Sequence, residues 1–262
     1  SDIYAMGAKP IFALVICGMP LNRLSSDTVV KILEGGSRIC SEAGISIAGG
    51  HTINISEPIY GLVVNGIVNL SNLKKNSTTR VGNKLILGKP LGIGIYSAAL
   101  KKGLLSTSQY NLLVDSTTKL NSIGTDFSKL KFVNAMTDIT GFGLLGHLDE
   151  MARSSNTTIK VNSNKILSYP GINNLIIKGC ITGASERNLQ ALASEVLFAD
   201  SVSKVDKSLL TDPQTSGGLL VSVESNGVNA ILEMFKNQDY EASIVGEVIE
   251  ENPKYRILVV NE

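Results

Sequence analysis

Lys9-Pro10-Ile11-Phe12-Ala13-Leu14-Val15-Ile16-Cys17 is the stretch that decides the fold class. It is apolar and rich in branched side chains, is bounded by Gly7 and by Gly18-Met19-Pro20, and reads as a buried strand. Ser25-Ser26-Asp27 follows with N-cap chemistry, since a short side-chain oxygen can accept from an orphan helix amide. Val29, Ile32, Leu33, Gly36, Ile39, Cys40 and Ala43 then recur at helical spacing, and Gly44 supplies a stop. Ile45 to Ala48 reads as a short strand ending in a turn at Gly49-Gly50, and Ile59 to Val68 as another strand with a glycine irregularity. Strand, helix and strand in succession make this an α/β or α+β chain.

The pattern continues after a break. Ser71 to Val81 is polar and carries Lys74, Lys75 and Arg80, so it reads as a solvated linker. Strands are expected at Lys84 to Gly88, Phe132 to Met136, Leu219 to Val223, Ala242 to Val248 and Tyr255 to Val260. Helices are expected near Gly94 to Lys102, Gln109 to Ile123, Gly141 to Arg153 and Val228 to Lys236. No repeat period is present. The division is therefore 1–70, a linker at 71–82, and a second domain at 83–262.

Composition narrows the function. The 262 residues carry 24 Lys+Arg against 23 Asp+Glu, a formal charge of +1 that gives no electrostatic footprint for nucleic acid. Ile11 to Leu21, the longest apolar run, is interrupted by Gly18 and Pro20 and falls short of the roughly 20 residues a membrane span needs. There is no charged-then-apolar leader. The chain starts at Ser1-Asp2 rather than at Met, which reads as a processed or cut polypeptide. Cys17, Cys40 and Cys180 are odd in number and widely spaced, which fits small buried hydrophobes in a reducing cytoplasm better than disulfides or a metal site.

Several local patterns bear on chemistry. Gly141-Phe142-Gly143-Leu144-Leu145-Gly146 matches G-x-G-x-x-G, but no Asp or Glu occurs from Met151 to Ser168 to hold a ribose, so the nicotinamide reading fails. Asp138, between strand and helix, is either a helix cap, which local sequence favours, or a ligand to a hard cation. A second loop carboxylate would favour the metal, and Asp2 is the candidate. Ala48-Gly49-Gly50-His51-Thr52 reads as a glycine turn whose amides could cradle a phosphate. His51 by itself is an ordinary loop residue, and His147, inside a predicted helix, is structural. Asp212-Pro213-Gln214-Thr215-Ser216-Gly217-Gly218 is either a plain loop or a shaped surface for an anion or a partner. No Walker A pattern and no nucleophile–His–acid spacing is present.

Taken in order, Ser1 to Gly7, Ala48 to Thr52, Lys89-Pro90-Leu91-Gly92-Ile93-Gly94, Thr137 to His147 and Asp212 to Gly218 make a specific series. The chain resembles selenophosphate synthetase (selenide, water dikinase), of the superfamily that includes aminoimidazole ribonucleotide synthetase. The resemblance spans essentially the whole chain. It implies a two-domain α/β fold with a shortened N-terminal ATP-binding and dimerisation domain. It also implies conversion of ATP, selenide and water to selenophosphate, AMP and phosphate. Mg²⁺ would be held by Asp2 and Asp138, and nucleotide by Asp2, Gly49, Gly50, His51 and Thr52. A homodimer in the cytoplasm is implied, with no nucleic-acid or membrane partner. The family's catalytic Cys or selenocysteine and an essential Lys would lie upstream of Ser1, so no residue here is assigned as catalytic. The stretch is expected to be inactive by itself, with Asp2 at a frayed end. The alternatives are another ATP-using enzyme of that superfamily, releasing ADP, and a non-catalytic binding or dimerisation module.

Overall fold

The computed structural model describes all residues, 1–262. The first part runs α1 (Asp2–Ala5), β1 (Lys9–Met19), α2 (Ser26–Glu42), β2 (Ser46–Asn54) and β3 (Ile59–Ile67). The second begins with β4 (Lys84–Leu87), α3 (Ile93–Lys101), α4 (Thr107–Thr118), α5 (Gly124–Phe127), β5 (Val133–Asp138) and α6 (Gly143–Ser155). It continues with β6 (Thr158–Asn162), α7 (Ile172–Ile177), α8 (Gly183–Ala191), β7 (Val196–Phe198) and α9 (Lys204–Leu210). It closes with β8 (Leu219–Val223), α10 (Val228–Asn237), β9 (Ser243–Ile249) and β10 (Ile257–Val260).

β1 is central in a three-stranded sheet, parallel to β2 and antiparallel to β3. Its alternation separates two faces. Ala13 and Cys17 are buried on the side covered by α2, whose Gly36 leaves room for the Tyr60 ring. Leu14, Ile16, Ile53, Ile59, Val63 and Ile67 remain exposed, Val63 at 58% and Ile67 at 66%. α2 is capped as its sequence indicates: the Ser25 hydroxyl accepts from the Thr28 amide at 3.3 Å, and Gly44 takes φ +71°.

The second sheet has seven strands in the order β5-β8-β4-β9-β6-β10-β7, antiparallel except where β10 lies parallel to β6 and β7. Leu85 and Leu87 point into a core of 31 buried residues shared with α3, α6, α7 and α9, whereas Ile86 points into a second core of 12 shared with α5 and α10. Phe235 anchors the smaller core, edge-on to Phe127 at 4.8 Å and to Tyr240 at 5.5 Å.

Four expectations need correction. The Gly49-Gly50 pair is not a turn: β2 continues through it to Asn54, paired with β1 at Leu14↔Gly49 and Val15↔Gly50. Gly50 is needed because a Cβ there would lie 2.0 Å from the Val15 carbonyl oxygen. Lys74 is not a solvated linker residue. Its ammonium donates to the carbonyls of Leu130 at 3.3 Å and Val133 at 2.7 Å, which sews the 71–81 stretch to the start of β5. The helix expected to run to Ile123 stops at Thr118, and a separate short helix follows. Finally, β6, α7, α8, β7 and α9 fall where no elements were assigned.

Truncation of Phe235 to Ala should cost about 3–5 kcal/mol, because it empties the centre of the smaller core. Leu70→Ala, at a side chain 85% exposed, should stay within about 0.5 kcal/mol of the parent. Urea midpoints of the two variants check both values.

Candidate functional site

Asp138 ends β5, opposite Leu219 of β8. It is 6% exposed, and its Oδ2 has no hydrogen-bond partner. A buried carboxylate oxygen without a donor is costly unless something outside the chain satisfies it. The capping alternative is ruled out. α6 has Phe142 at its N-cap position, and no side chain caps the helix.

The loop from Asp138 to Gly143 is shaped from three sides. His147 reaches back from α6, and its Nε2 accepts from the Thr140 amide at 3.0 Å. That bond places the imidazole proton on Nδ1, which is buried without a partner. Burial pushes the His147 pKa down, while the negative charges of Asp138, Glu150 and Asp2 push it the other way. Asn188 Nδ2 donates to the Gly141 carbonyl at 2.9 Å and the Thr211 carbonyl at 3.1 Å. Gly143, at φ +68°, passes so close to Thr211 that a Cβ would meet its backbone at 2.7 Å. Gly146 likewise leaves room for the Phe142 side chain, which a Cβ would meet at 2.5 Å, whereas a Cβ on Gly141 would meet nothing, so close packing accounts for two of the three glycines of G-x-G-x-x-G.

The third side is the 212–218 loop. The Gln214 amide donates to the Thr140 carbonyl at 3.0 Å, and the Ile139 amide donates to the Gly218 carbonyl at 3.0 Å. Its Asp212 and Gln214 side chains turn inward, not toward an anion. Asp212 Oδ2 accepts from the amides of Gly94 at 3.0 Å and Ile95 at 3.3 Å, and Gln214 Oε1 accepts from those of Gly92 and Ile93, both at 3.2 Å. Together they satisfy the N-terminal amides of α3. Burial pushes the Asp212 pKa up to about 7, against the opposing pull of Gln214, Ile95 and Gly94.

Asp2 stands in the first turn of α1, which packs on β5 and α5. The terminus is tied rather than frayed: Asn121 Nδ2 donates to Ser1 Oγ at 2.9 Å and to the Gly217 carbonyl at 2.8 Å. Ser1, beside Asp2, is thereby joined to Gly217, while Asp138 lies opposite Leu219, and the charges of Asp2 and Asp138 both bear on His147. Gly49, Gly50, His51 and Thr52 lie elsewhere, exposed on the edge strand of the three-stranded sheet. No group of three or more His, Cys, Asp and Glu side chains is assembled for a metal.

The sequence matches the AIR synthase related protein family, its N-terminal domain over residues 1–68 and its C-terminal domain over residues 80–258. A selenide, water dikinase from Pseudomonas straminea is 51% identical over 255 residues, which are 97% of this chain and 71% of that protein. The chain belongs to the selenide, water dikinase family. Its fold is shared more widely. Thiamine-monophosphate kinase from Stenotrophomonas maltophilia K279a superposes with TM-score 0.74 at 15% identity, over 100% of this chain and 75% of that one. Hydrogenase maturation protein HypE, solved in complex with ATP, does so with TM-score 0.71 at 14% identity, over 98% and 72%.

Around this candidate site, sequence reasoning quoted Lys89 without giving it a role and did not single out Asn121. Lys89 is 4% exposed, and its ammonium donates to the carbonyls of Ser116 at 3.1 Å, Lys119 at 2.8 Å and Ser216 at 2.8 Å. Burial, assisted by Lys119 and opposed by Asp138, lowers its pKa to about 8. A lysine that directly follows the apolar strand Lys84 to Gly88 was the available signal.

Asp212 generates a pH test. Its proton is held more tightly in the folded chain than in the unfolded one. Its contribution is therefore most favourable below about pH 4 and declines as pH rises to about 7. Urea midpoints taken from pH 4 to 8 should show this decline in the parent and a flatter profile in Asp212→Asn.

Proposed function

We propose that this chain carries out, as part of a selenide, water dikinase, phosphoryl transfer from ATP to selenide with hydrolysis of a second phosphoryl group by water, so that ATP, selenide and water yield selenophosphate, AMP and phosphate. The observation that carries the reading is the 51% identity to a protein of that name across 97% of the chain. The site adds physical support. A hard cation such as Mg²⁺ takes oxygen ligands and is bound through one or two carboxylates plus phosphates. The orphaned Oδ2 of Asp138 and the exposed carboxylate of Asp2 fit that demand. When bound, the ion neutralises phosphate charge. The surrounding residues orient these groups: His147 fixes the loop after Asp138, and Asn121 fixes the start of α1.

We assign nucleotide contacts to Asp2 and to Gly49, Gly50, His51 and Thr52. The latter four adjoin an exposed apolar sheet face, and Gly49 and His51 lie beside its Leu14 and Ile16. A patch of this kind is a binding surface for another chain, and we assign it to a second copy. In such a dimer the 49–52 segment borders the partner. Cys17, Cys40 and Cys180 are all buried and unpaired, so none presents a nucleophile. Unpaired thiols suit a reducing cytoplasm, and no helix is long and apolar enough to cross a membrane. The chain is therefore expected to bind Mg·ATP without turning it over, and to need an upstream segment bearing Cys or selenocysteine and Lys.

Chromatography of nucleotides after anaerobic incubation with ATP, Mg²⁺ and selenide tests this. AMP should form only with selenide and only when that upstream segment is joined. ADP as the sole product would instead assign another kinase activity of this fold. Asp138→Asn should weaken Mg·ATP binding about tenfold or more in calorimetry, because it removes a metal carboxylate. Val63→Asp should shift the species seen in sedimentation from dimer to monomer.

A further inference from the structure

Ser216 occupies the left-handed region of backbone space at φ +51°. The other two non-glycine residues there are Asn156, which ends α6, and Asp239, in the turn after α10. Asn and Asp tolerate this conformation, whereas serine is held in it at a cost. Glycine would relieve that cost, and the next two residues are glycines. The serine hydroxyl does not repay it inside the fold. Ser216 bonds through its carbonyl, to Lys89, while its Oγ is neither hydrogen-bonded nor sealed from solvent.

The position of this hydroxyl is closely determined. Lys89 holds the Ser216 carbonyl at 2.8 Å, and Asn121 joins the next residue, Gly217, to Ser1 beside Asp2. Gly217 also lies flush against Ile139, where a Cβ would sit 2.2 Å from the Ile139 carbonyl oxygen. Gly218 accepts from the Ile139 amide at 3.0 Å. A strained residue with a free hydroxyl is thus held next to a glycine that is tied on one side to Ser1, the neighbour of Asp2, and on the other to Ile139, the neighbour of Asp138. The Lys89 ammonium is turned to three backbone carbonyls, so it is occupied as a strut and is not available to a phosphate.

We propose that the Ser216 hydroxyl donates a hydrogen bond to the terminal phosphoryl group of ATP, and that Lys89 is the positioning residue that keeps Ser216 in its strained conformation. The inference rests on the ATP-using function proposed above. A neutral donor suits the place, since it contacts a phosphoryl oxygen without competing with a cation for the same carboxylates.

Calorimetry with Mg·ATP and with AMP, together with thermal melting, tests the proposal on the parent, Ser216→Ala and Ser216→Gly. Both variants should bind ATP about tenfold more weakly, the scale of a hydrogen bond to a charged group, and AMP as the parent does. Ser216→Gly should also melt higher than the parent, because it releases the backbone strain. A purely structural serine predicts otherwise: the glycine variant would be more stable and bind ATP normally. ATP affinity equal to the parent's in both variants overturns the inference, as does equal weakening toward ATP and AMP. A parent chain that binds no ATP overturns the proposed function, and this inference with it.

Discussion

The buried carboxylate of Asp212 and the amide of Gln214 satisfy four consecutive backbone donors, Gly92 to Ile95, at the start of α3. Left bare in a buried place, those amides would each cost free energy comparable to a lost hydrogen bond. The capping fixes where the 212–218 loop must lie, and much else follows from that placement. The loop aligns with Ile139 and Thr140, so it sets the backbone beyond Asp138. It meets Asn121, and through it the start of α1. It also gives Lys89 one of its three carbonyl partners. A polar helix end, the backbone next to Asp138, the start of α1 and a buried lysine are thereby linked by hydrogen bonds.

The two sheets differ in how fully they are covered. The seven-stranded sheet carries helices from two cores, and its buried strands alternate between them. The three-stranded sheet has a helix on one face only and leaves a row of branched aliphatic side chains in solvent on the other. The candidate carboxylates lie where α1 rests on β5, while the glycine-histidine segment lies at the sheet edge. Under the proposed assignment of both to one site, its completion is a matter of assembly as well as of folding.

The strongest elements were legible because their signals are local. Apolar runs bounded by glycine and proline gave β1, β3, β4, β8 and β10 closely, and a Ser cap with a glycine stop gave α2. The errors share a cause. Gly49-Gly50 has the composition of a turn, yet parallel pairing with β1 carries the strand through it, which no local window reveals. Lys74 reads as solvated because its carbonyl partners are 56 and 59 residues away. In the candidate site, Asp2 and Asp138 were nominated through resemblance to a family and a carboxylate argument. Lys89, Asn121 and the inward turn of Asp212 were not, since each is defined by backbone groups distant in sequence. Of the glycines in the Gly141–Gly146 run, Gly143 and Gly146 pack closely as read, and Gly141 does not.

The strand order has a consequence for synthesis. β4 is the first strand of the large sheet to leave the ribosome, but its neighbours are β8 and β9. More than a hundred residues separate it from either, roughly ten seconds or more of elongation. β10, made last, slots between β6 and β7. The sheet thus cannot be built outward from its first strand in the order of translation. Until the final strands emerge, the apolar β4 has no native partner, a period in which a nascent chain depends on chaperones or risks aggregation.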